Sequence, residues 1–290
     1  MIDLHMHSTF SDGKDDITTL IENVKNAGIS VFSVTDHDTA LSARTILSND
    51  SLKNKIVDNG LSYVSGVEWS CIFGKYKMHL LAYDFDPFNP EVLRLEKQIE
   101  ILLDGKRRAR EEYIENNGCK LSKESWDYIK SKDNVRRLDY ANCLVNDGYF
   151  KDVDDACKNF LNKHKYQGTD RLDAVDVITT MTNLGAKVVW AHSLHGLNEK
   201  PITFEEVEIV AGELKQFGLA GLECFYSLYS KEEIDELLAI TDRLGLLVTC
   251  GSDYHGKNKA VQLAEFSSDG SEVDKSKVTI LKHLKNILKG

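Results

Sequence analysis

No stretch of the sequence approaches the ~20 consecutive apolar residues that cross a bilayer as a helix, because charged residues interrupt every hydrophobic run. A membrane is therefore not an expected partner. Close cysteine pairs are also missing: Cys71, Cys119, Cys143, Cys157, Cys224 and Cys250 are scattered, and none forms a CxxC. Zinc-knuckle and dithiol redox motifs need two nearby thiols, so both are excluded. Positive charge is in deficit, with 36 Lys and Arg against 46 Asp and Glu, a net charge of −10. Proteins that wrap polynucleotides through their general surface carry basic patches that displace counterions, so a long nucleic acid is disfavoured. No charged segment followed by an apolar one opens the chain, which makes the cytoplasm the expected compartment. With three prolines and no repeat or low-complexity tract, nothing marks a linker-rich or solenoid protein.

What is present is apolar material in alternating short runs. A chain of 290 residues, 42% hydrophobic, can bury a large core as one big domain or as one domain carrying an insertion. Strands are expected at 2–5, 31–34 and 61–68. The third continues to 73, turns at Gly74-Lys75 and returns over 76–83 as a hairpin. Between the first two, Asp15 or Asp16 can cap a helix whose Ile17, Leu20, Ile21 and Val24 fall at helical spacing and which ends at Gly28. A short helix from about Ala40 and a polar stretch over 48–60 precede the third strand.

From 90 to 185 strand-like runs vanish and charged helix-forming stretches follow one another, as at 92–116, 140–146 and 153–161, which reads as a helical insertion. The alternation resumes with strands at 187–192, 221–225 and 246–250, helices at 204–217 and 231–244, and a closing helix from about Val278. The expected organisation is α/β, mostly parallel, with parts 1–89 and 186–290 around an insertion at 90–185. Six or seven strands with intervening helices are compatible with a barrel or a distorted relative of one.

The chemistry lies in where the histidines fall. Of nine, His5, His7, His37, His79, His192 and His255 sit at or near the ends of expected strands, where parallel α/β folds build their sites. His5 and His7 alternate along a strand, so their imidazoles share a face with Cα atoms roughly 6.6 Å apart. A lone H-x-H is a weak signal. It gains force from Asp12, from Thr35-Asp36-His37-Asp38, Gly66-Val67-Glu68 and Ala191-His192, and from Gly251-Ser252-Asp253-Tyr254-His255. Five strand ends bearing imidazole or carboxylate point to a metal centre. The mixed N/O donors suit Mn, Fe or Zn.

The order H-x-H, D-G, T-D-H-D, G-x-E, an isolated histidine, A-H and G-S-D-x-H resembles the PHP (polymerase and histidinol phosphatase) family over residues 1–85 and 186–260. The insertion resembles that of stand-alone nucleotide and oligoribonucleotide phosphatases of the family. It carries Arg137 to Val145, Gly148-Tyr149 and Phe160-Leu161 where they show R-P-H…L-V…G-Y…Y-L. Leu138-Asp139 replace Pro-His, Asn162-Lys163-His164-Lys165 replace a Gly-rich segment, and Ala191-His192-Ser193 stands for A-H-P.

The resemblance implies a distorted (β/α)7 TIM-like barrel with a helical insertion, and two to three divalent ions, Mg being admissible beside Mn, Fe and Zn. Three sets would hold them: His5, His7, Glu68 and Asp253; Glu68, His79 and His192, with Glu68 bridging; and Asp12, His37 and His255. It further implies hydrolysis of a small phosphomonoester by a metal-bridging hydroxide held by Glu68, Asp253 and His192. Expected substrates are a nucleotide, a nucleoside 3′,5′-bisphosphate or a short oligonucleotide. Three divalent ions against Asp12, Glu68 and Asp253 would leave about three positive charges for a phosphate dianion. The alternatives are a histidinol-phosphate phosphatase or another amidohydrolase-like hydrolase, and a non-catalytic metal-binding module that would have lost ligands.

Outside the ligands, His195 is a candidate general acid. Arg137, Arg107, Arg110 and His164 are candidates for substrate contact, although charge runs such as Lys106 to Arg110 are usually solvated faces. Asp36 and Asp38 can cap a helix or orient the His37 ring. Tyr226 and Trp69 suit base stacking or, more commonly, core packing. A monomer or small homo-oligomer is expected.

Overall fold

Burial, more than helix propensity, places the first helix. α1 (Ile17–Asn26) buries Ile17, Leu20, Ile21 and Val24, worth about 2 kcal/mol each. The adjacent β-branched Thr18 and Thr19 cost only tenths of a kcal/mol. Asp16 is its cap, accepting the Thr19 N–H, and Gly28 follows in the left-handed region at φ 70°. This computed structural model describes residues 1–132, 135–195, 197–198, 200–270 and 275–290.

The chain forms two compact units, residues 1–97 with 171–290, and residues 98–170. In the first unit, β1 (Ile2–Asp3), β2 (Val31–Phe32) and β3 (Ser62–Tyr63) pair in parallel, and β10 (Leu288–Lys289) joins β3 antiparallel. The second sheet holds β4 (Gly66–Phe73), β5 (Tyr76–Tyr83), β6 (Leu172–Asp173), β7 (Lys187–Ala191), β8 (Leu219–Tyr226) and β9 (Leu247–Gly251). Its spatial order is β6-β4-β5-β7-β8-β9. Only β4–β5 and β5–β7 are antiparallel there, so the architecture is α/β with a largely parallel arrangement.

Backbone bonds stitch the two sheets at both ends. Leu4 N–H donates to Cys250 O (3.1 Å) and His7 N–H to Tyr254 O (2.8 Å), while Glu68 N–H donates to Asp36 O (3.2 Å) and Asp38 N–H to Glu68 O (2.9 Å). Helices α2 (Leu41–Ser48), α3 (Asp50–Asp58), α8 (Ala174–Asn183), α9 (Phe204–Lys215) and α10 (Lys231–Leu244) complete the unit. A reciprocal cap of Ser230 and Glu233 starts α10, and Gly245 at φ 60° ends it. One core gathers Met6, Leu20, Phe32, Ile46 and Tyr63 beneath α1.

The 27-residue α4 (Pro90–Asn116) runs from the first unit into the second. The second unit adds α5 (Lys123–Lys130), α6 (Arg137–Asn146) and α7 (Val153–Asn159) around its own core of Ile114, Tyr140, Leu144 and Phe160.

Three local expectations are corrected. The polar stretch over 48–60 is helical, because the Asn49 side chain accepts the Ser51 and Leu52 N–H groups and so starts α3. The single strand expected over 61–68 divides into β3 and β4, which belong to different sheets. No closing helix forms from Val278 among the described residues. A 3-10 turn at Ile280–His283 is followed by extended chain, because the Lys285 and Asn286 N–H groups donate to the Asp84 carboxylate (2.6 and 2.9 Å).

Gly251 lies at a tight crossing near the strand ends, since a Cβ there would lie 2.1 Å from His5 Cβ and 2.6 Å from Glu223 Oε1. Gly251→Ala is expected to destabilise by about 1–3 kcal/mol or more, as overpacking does. Gly212→Ala, inside α9 with 3.7 Å to Leu244 Cδ2, is expected to stabilise by about 0.5–1 kcal/mol. Paired thermal melts check both signs.

Candidate metal centre

Each element brings its side chain to the centre by a specific backbone device. His5 and His7 follow β1 in extended chain, both fully buried, and Asp253 N–H donates to His5 O (2.8 Å), which locks that run against the segment after β9. The loop carrying Asp12 is tied down by Asp36, which accepts from Ser8 N (2.8 Å), Ser8 Oγ (2.7 Å) and Ser11 Oγ (2.6 Å). Asp36 thus organises that loop. Gly13 passes so close that a Cβ would sit 2.3 Å from His7 O. His37 follows β2, and Asp38 beside it, at φ 58°, accepts the Ser70 N–H (2.7 Å). In the β4–β5 hairpin Ser70 faces His79, which puts His79 on the face of Glu68. His192 follows β7 at φ 30°, and Asp253 follows β9 at φ 57°.

These devices converge on Glu68, which is fully buried. Its Oε2 lies 3.2 Å from His5 Nε2, 3.2 Å from His7 Nε2 and 3.0 Å from His37 Nδ1, and its Oε1 lies 2.8 Å from His79 Nδ1 and 3.0 Å from His192 Nε2. Asp253 Oδ1 is 3.1 Å from His7 Nε2 and 3.5 Å from His5 Nε2. Asp12 Oδ1 is 3.0 Å from His255 Nε2 and 3.8 Å from His37 Nε2.

Three groups therefore offer donor atoms that lie within 4.8 Å of one another: His5, His7, Glu68 and Asp253; His37, Glu68 and His79; and His7, Asp12, His37 and His255. The first is the set expected from the sequence. The second takes His37 in place of His192, which lies 3.0 Å from Glu68 Oε1 and edge-on to the His79 ring but outside that donor group, and the third adds His7.

The residues fit divalent ions on two grounds. His5 Nε2, His7 Nε2, His37 Nδ1, His79 Nδ1 and Glu68 Oε2 are buried and find no hydrogen-bond partner among the described residues, a costly state unless a ligand satisfies them. The electrostatics are those of a cluster that attracts positive charge. Burial alone would lower His7, yet Asp253 and Glu68 outweigh it and hold the ring at about 9. His5 and His192 are raised against burial in the same way. Burial drives His37 well down, with the charges of His7 and His79 adding to it. Glu68, which burial would raise, is held well below the usual carboxylate range by His79, His37 and His5.

The other candidates fall into two groups. His195 pairs with Glu233 (2.9 Å), and Tyr226 donates to Asp253 Oδ2 (3.3 Å). Trp69 is fully buried, a core residue. Within residues 98–170, Arg107 pairs with Asp104 and Glu111, Arg110 lies over the Tyr140 ring, Arg137 donates to Asn162 (2.6 Å), and His164 stacks on Tyr113. Two neighbours of the cluster escaped the sequence. Lys259 pairs with Asp253 Oδ2 (2.6 Å). Glu223 accepts from His5 Nδ1 (2.9 Å) and from the His192 N–H (2.9 Å). A carboxylate inside the apolar run of β8 is the signal that could have found Glu223, since a buried charge requires partners.

The sequence pattern of the PHP domain matches residues 3–162. The chain belongs to the PHP domain family. Among curated relatives, a 5′-3′ exoribonuclease of Haemophilus influenzae is 26% identical over 261 residues, covering 87% of this chain and 89% of its own. A 3′,5′-nucleoside bisphosphate phosphatase of Chromobacterium violaceum is 25% identical over 262 residues, 88% of this chain and 87% of its own. A solved Bifidobacterium adolescentis protein, provisionally named a metal-dependent phosphoesterase, superposes with a TM-score of 0.70 at 26% identity. It covers 98% of this chain and 96% of its own.

A ligand that binds only the folded state stabilises it by about 2.7 kcal/mol at one hundred times its Kd. Mn²⁺ titrated into the metal-free protein is expected to raise the melting temperature on that scale. Glu68→Gln, which removes the charge shared by two groups, is expected to remove most of the rise and leave only the part due to the group of His7, Asp12, His37 and His255. An unshifted wild-type melt across the titration would count against a metal centre.

Proposed function

We propose that this PHP protein hydrolyses a small phosphomonoester with divalent ions held by His5, His7, Asp12, His37, Glu68, His79, His192, Asp253 and His255. It is a metal-dependent phosphoric ester hydrolase, and its substrate is a nucleotide, a nucleoside 3′,5′-bisphosphate or the end of a short oligonucleotide. One observation carries this reading: a single buried carboxylate, Glu68, within 3.2 Å of five imidazoles. The stitched backbone from β1 through β2, β4, β5, β7, β8 and β9 back to β1 supports a distorted seven-stranded barrel with this cluster at one end.

When bound, the ions supply a water of lowered pKa and neutralise phosphate charge. The protein's own groups do the rest. Two carboxylates, Glu68 and Asp253, border one donor group, and Asp12 anchors another, so a phosphate is met from more than one side. Counting Glu223 with Asp12, Glu68 and Asp253 leaves about two positive charges if three divalent ions are held, still enough to attract an anion to a protein of net charge −10. Screening over ~8–10 Å limits the repulsion from distant carboxylates. His195 is three residues past His192, and we assign it the proton donated to the leaving oxygen, with Glu233 orienting its ring (2.9 Å).

The direct test is phosphate release from a nucleoside 3′,5′-bisphosphate and from 5′-phosphorylated oligoribonucleotides with Mn²⁺. Turnover of at least one is expected, and a metal-loaded protein that releases phosphate from no phosphomonoester would overturn the reading. General-acid groups contribute about 10²–10⁴-fold. His195→Ala is accordingly expected to cut kcat at least ~100-fold for an alkyl phosphate while sparing 4-nitrophenyl phosphate, whose leaving group needs no proton. Equal losses on both would remove His195 from that role.

A further inference from the structure

Glu223 is fully buried in β8, where the register between β8 and β9 shifts, and the hydrolysis proposed above uses nothing of it but its charge. Its two oxygens go to two different histidines. Oε1 is 2.9 Å from His5 Nδ1, and Oε2 accepts the backbone N–H of His192 at 2.9 Å. The outer nitrogen of the His5 ring and the His192 ring face the two oxygens of the other buried glutamate: His5 Nε2 is 3.2 Å from Glu68 Oε2, and His192 Nε2 is 3.0 Å from Glu68 Oε1. The space for this is made by Gly251, where a Cβ would come within 2.6 Å of Glu223 Oε1.

We propose that Glu223 is a positioning residue that sets the metal affinity of the Glu68-centred part of the site through two histidines at once. By accepting from Nδ1 it holds the proton of His5 on the nitrogen turned away from the donor group, so Nε2 is left as the ligand atom. By accepting the His192 N–H it holds that residue at φ 30°, a conformation disfavoured for a residue with a Cβ. From there the ring reaches Glu68. A carboxylate is required because it can accept both bonds. A glutamine of the same shape has one accepting oxygen and one donating NH₂, so one of the two histidines must lose its partner or change tautomer. The donors Asp12, His37 and His255 make no bond to Glu223 among those described, so their group is expected to be spared.

The inference rests on the metal-centre reading, and the test separates the two. Mn²⁺ binding to metal-free wild type and Glu223→Gln is followed by calorimetry, with bound metal counted after dialysis against graded chelator. Partners that orient ligating histidines are typically worth about 10–100-fold in metal affinity. Glu223→Gln is expected to lose that factor for the Mn²⁺ held around Glu68 while keeping one wild-type-like equivalent, with the metal-free variant still melting cooperatively. Wild-type affinities throughout in the variant would overturn the role of Glu223 and leave the metal centre standing. A wild type that binds no Mn²⁺ would sink both. A second measurement needs no substitution at Glu223: in zinc-loaded wild type labelled with [¹⁵N]histidine, the His5 signal, identified by its loss in His5→Gln, is expected to show the proton on Nδ1. A proton on Nε2 would overturn the proposal even if Glu223→Gln failed to fold.

Discussion

A carboxylate withdrawn entirely from water costs several kcal/mol unless positive charge and hydrogen bonds repay it. Glu68 has no exposed surface, and the rings that surround it come from the runs after β1, β2 and β7 and from the middle of β5. Everything else near the centre can be understood as the means of delivering those rings. Because side chains alternate along a strand, a slip of one residue in the β4–β5 pairing would send His79 or Glu68 to the opposite face. Their shared face is secured by a hairpin eight residues deep on each side, closed at Gly74.

Delivery also uses strain. Five residues other than glycine adopt positive φ among those described, and three of them, Asp38, His192 and Asp253, stand in or beside the cluster. Such conformations cost of order 1–3 kcal/mol each and persist only where the surroundings over-determine them. Here each is met by a hydrogen bond from its own backbone N–H: Asp38 to Glu68 O, Asp253 to His5 O, and His192 to a Glu223 oxygen. In two of the three the acceptor is the backbone of a donor residue. The strain and the ligand geometry are therefore held by the same bonds, and one cannot relax without the other.

Local signals explain what could be read from the sequence. The cap at Asp16, the apolar spacing of α1, the limits of α10 and the Gly74 turn all depend on neighbours a few residues away, and so do the strand-end positions that brought out the histidines, Glu68 and Asp253. What stayed hidden depends on distant partners. β6 is two residues long and exists because Cys71 and Ile72, a hundred positions earlier, pair with it. The separation of β3 from β4 is decided by which sheet each finds, and the extended C-terminal segment by the Asp84 carboxylate two hundred residues away. The exchange of His192 for His37 in one donor group, and the presence of Glu223, are likewise matters of where rings point after the chain has closed.

The two units differ in how tightly their residues are committed. In the first, the donors share backbone bonds, buried carboxylates and one another, so substitutions there are expected to couple strongly rather than add. Residues 98–170 pack around a separate core, with Ile114, Tyr140 and Leu144 at its centre, and none of its side chains is shared with the core beneath α1. The departures from the family pattern at Leu138-Asp139 and over 162–165 all fall in that unit. A change there repacks a core on which Glu68 and its imidazoles do not draw. In the first unit the donors of the three groups are each fixed by several partners at once, which leaves almost no position among them that can change alone.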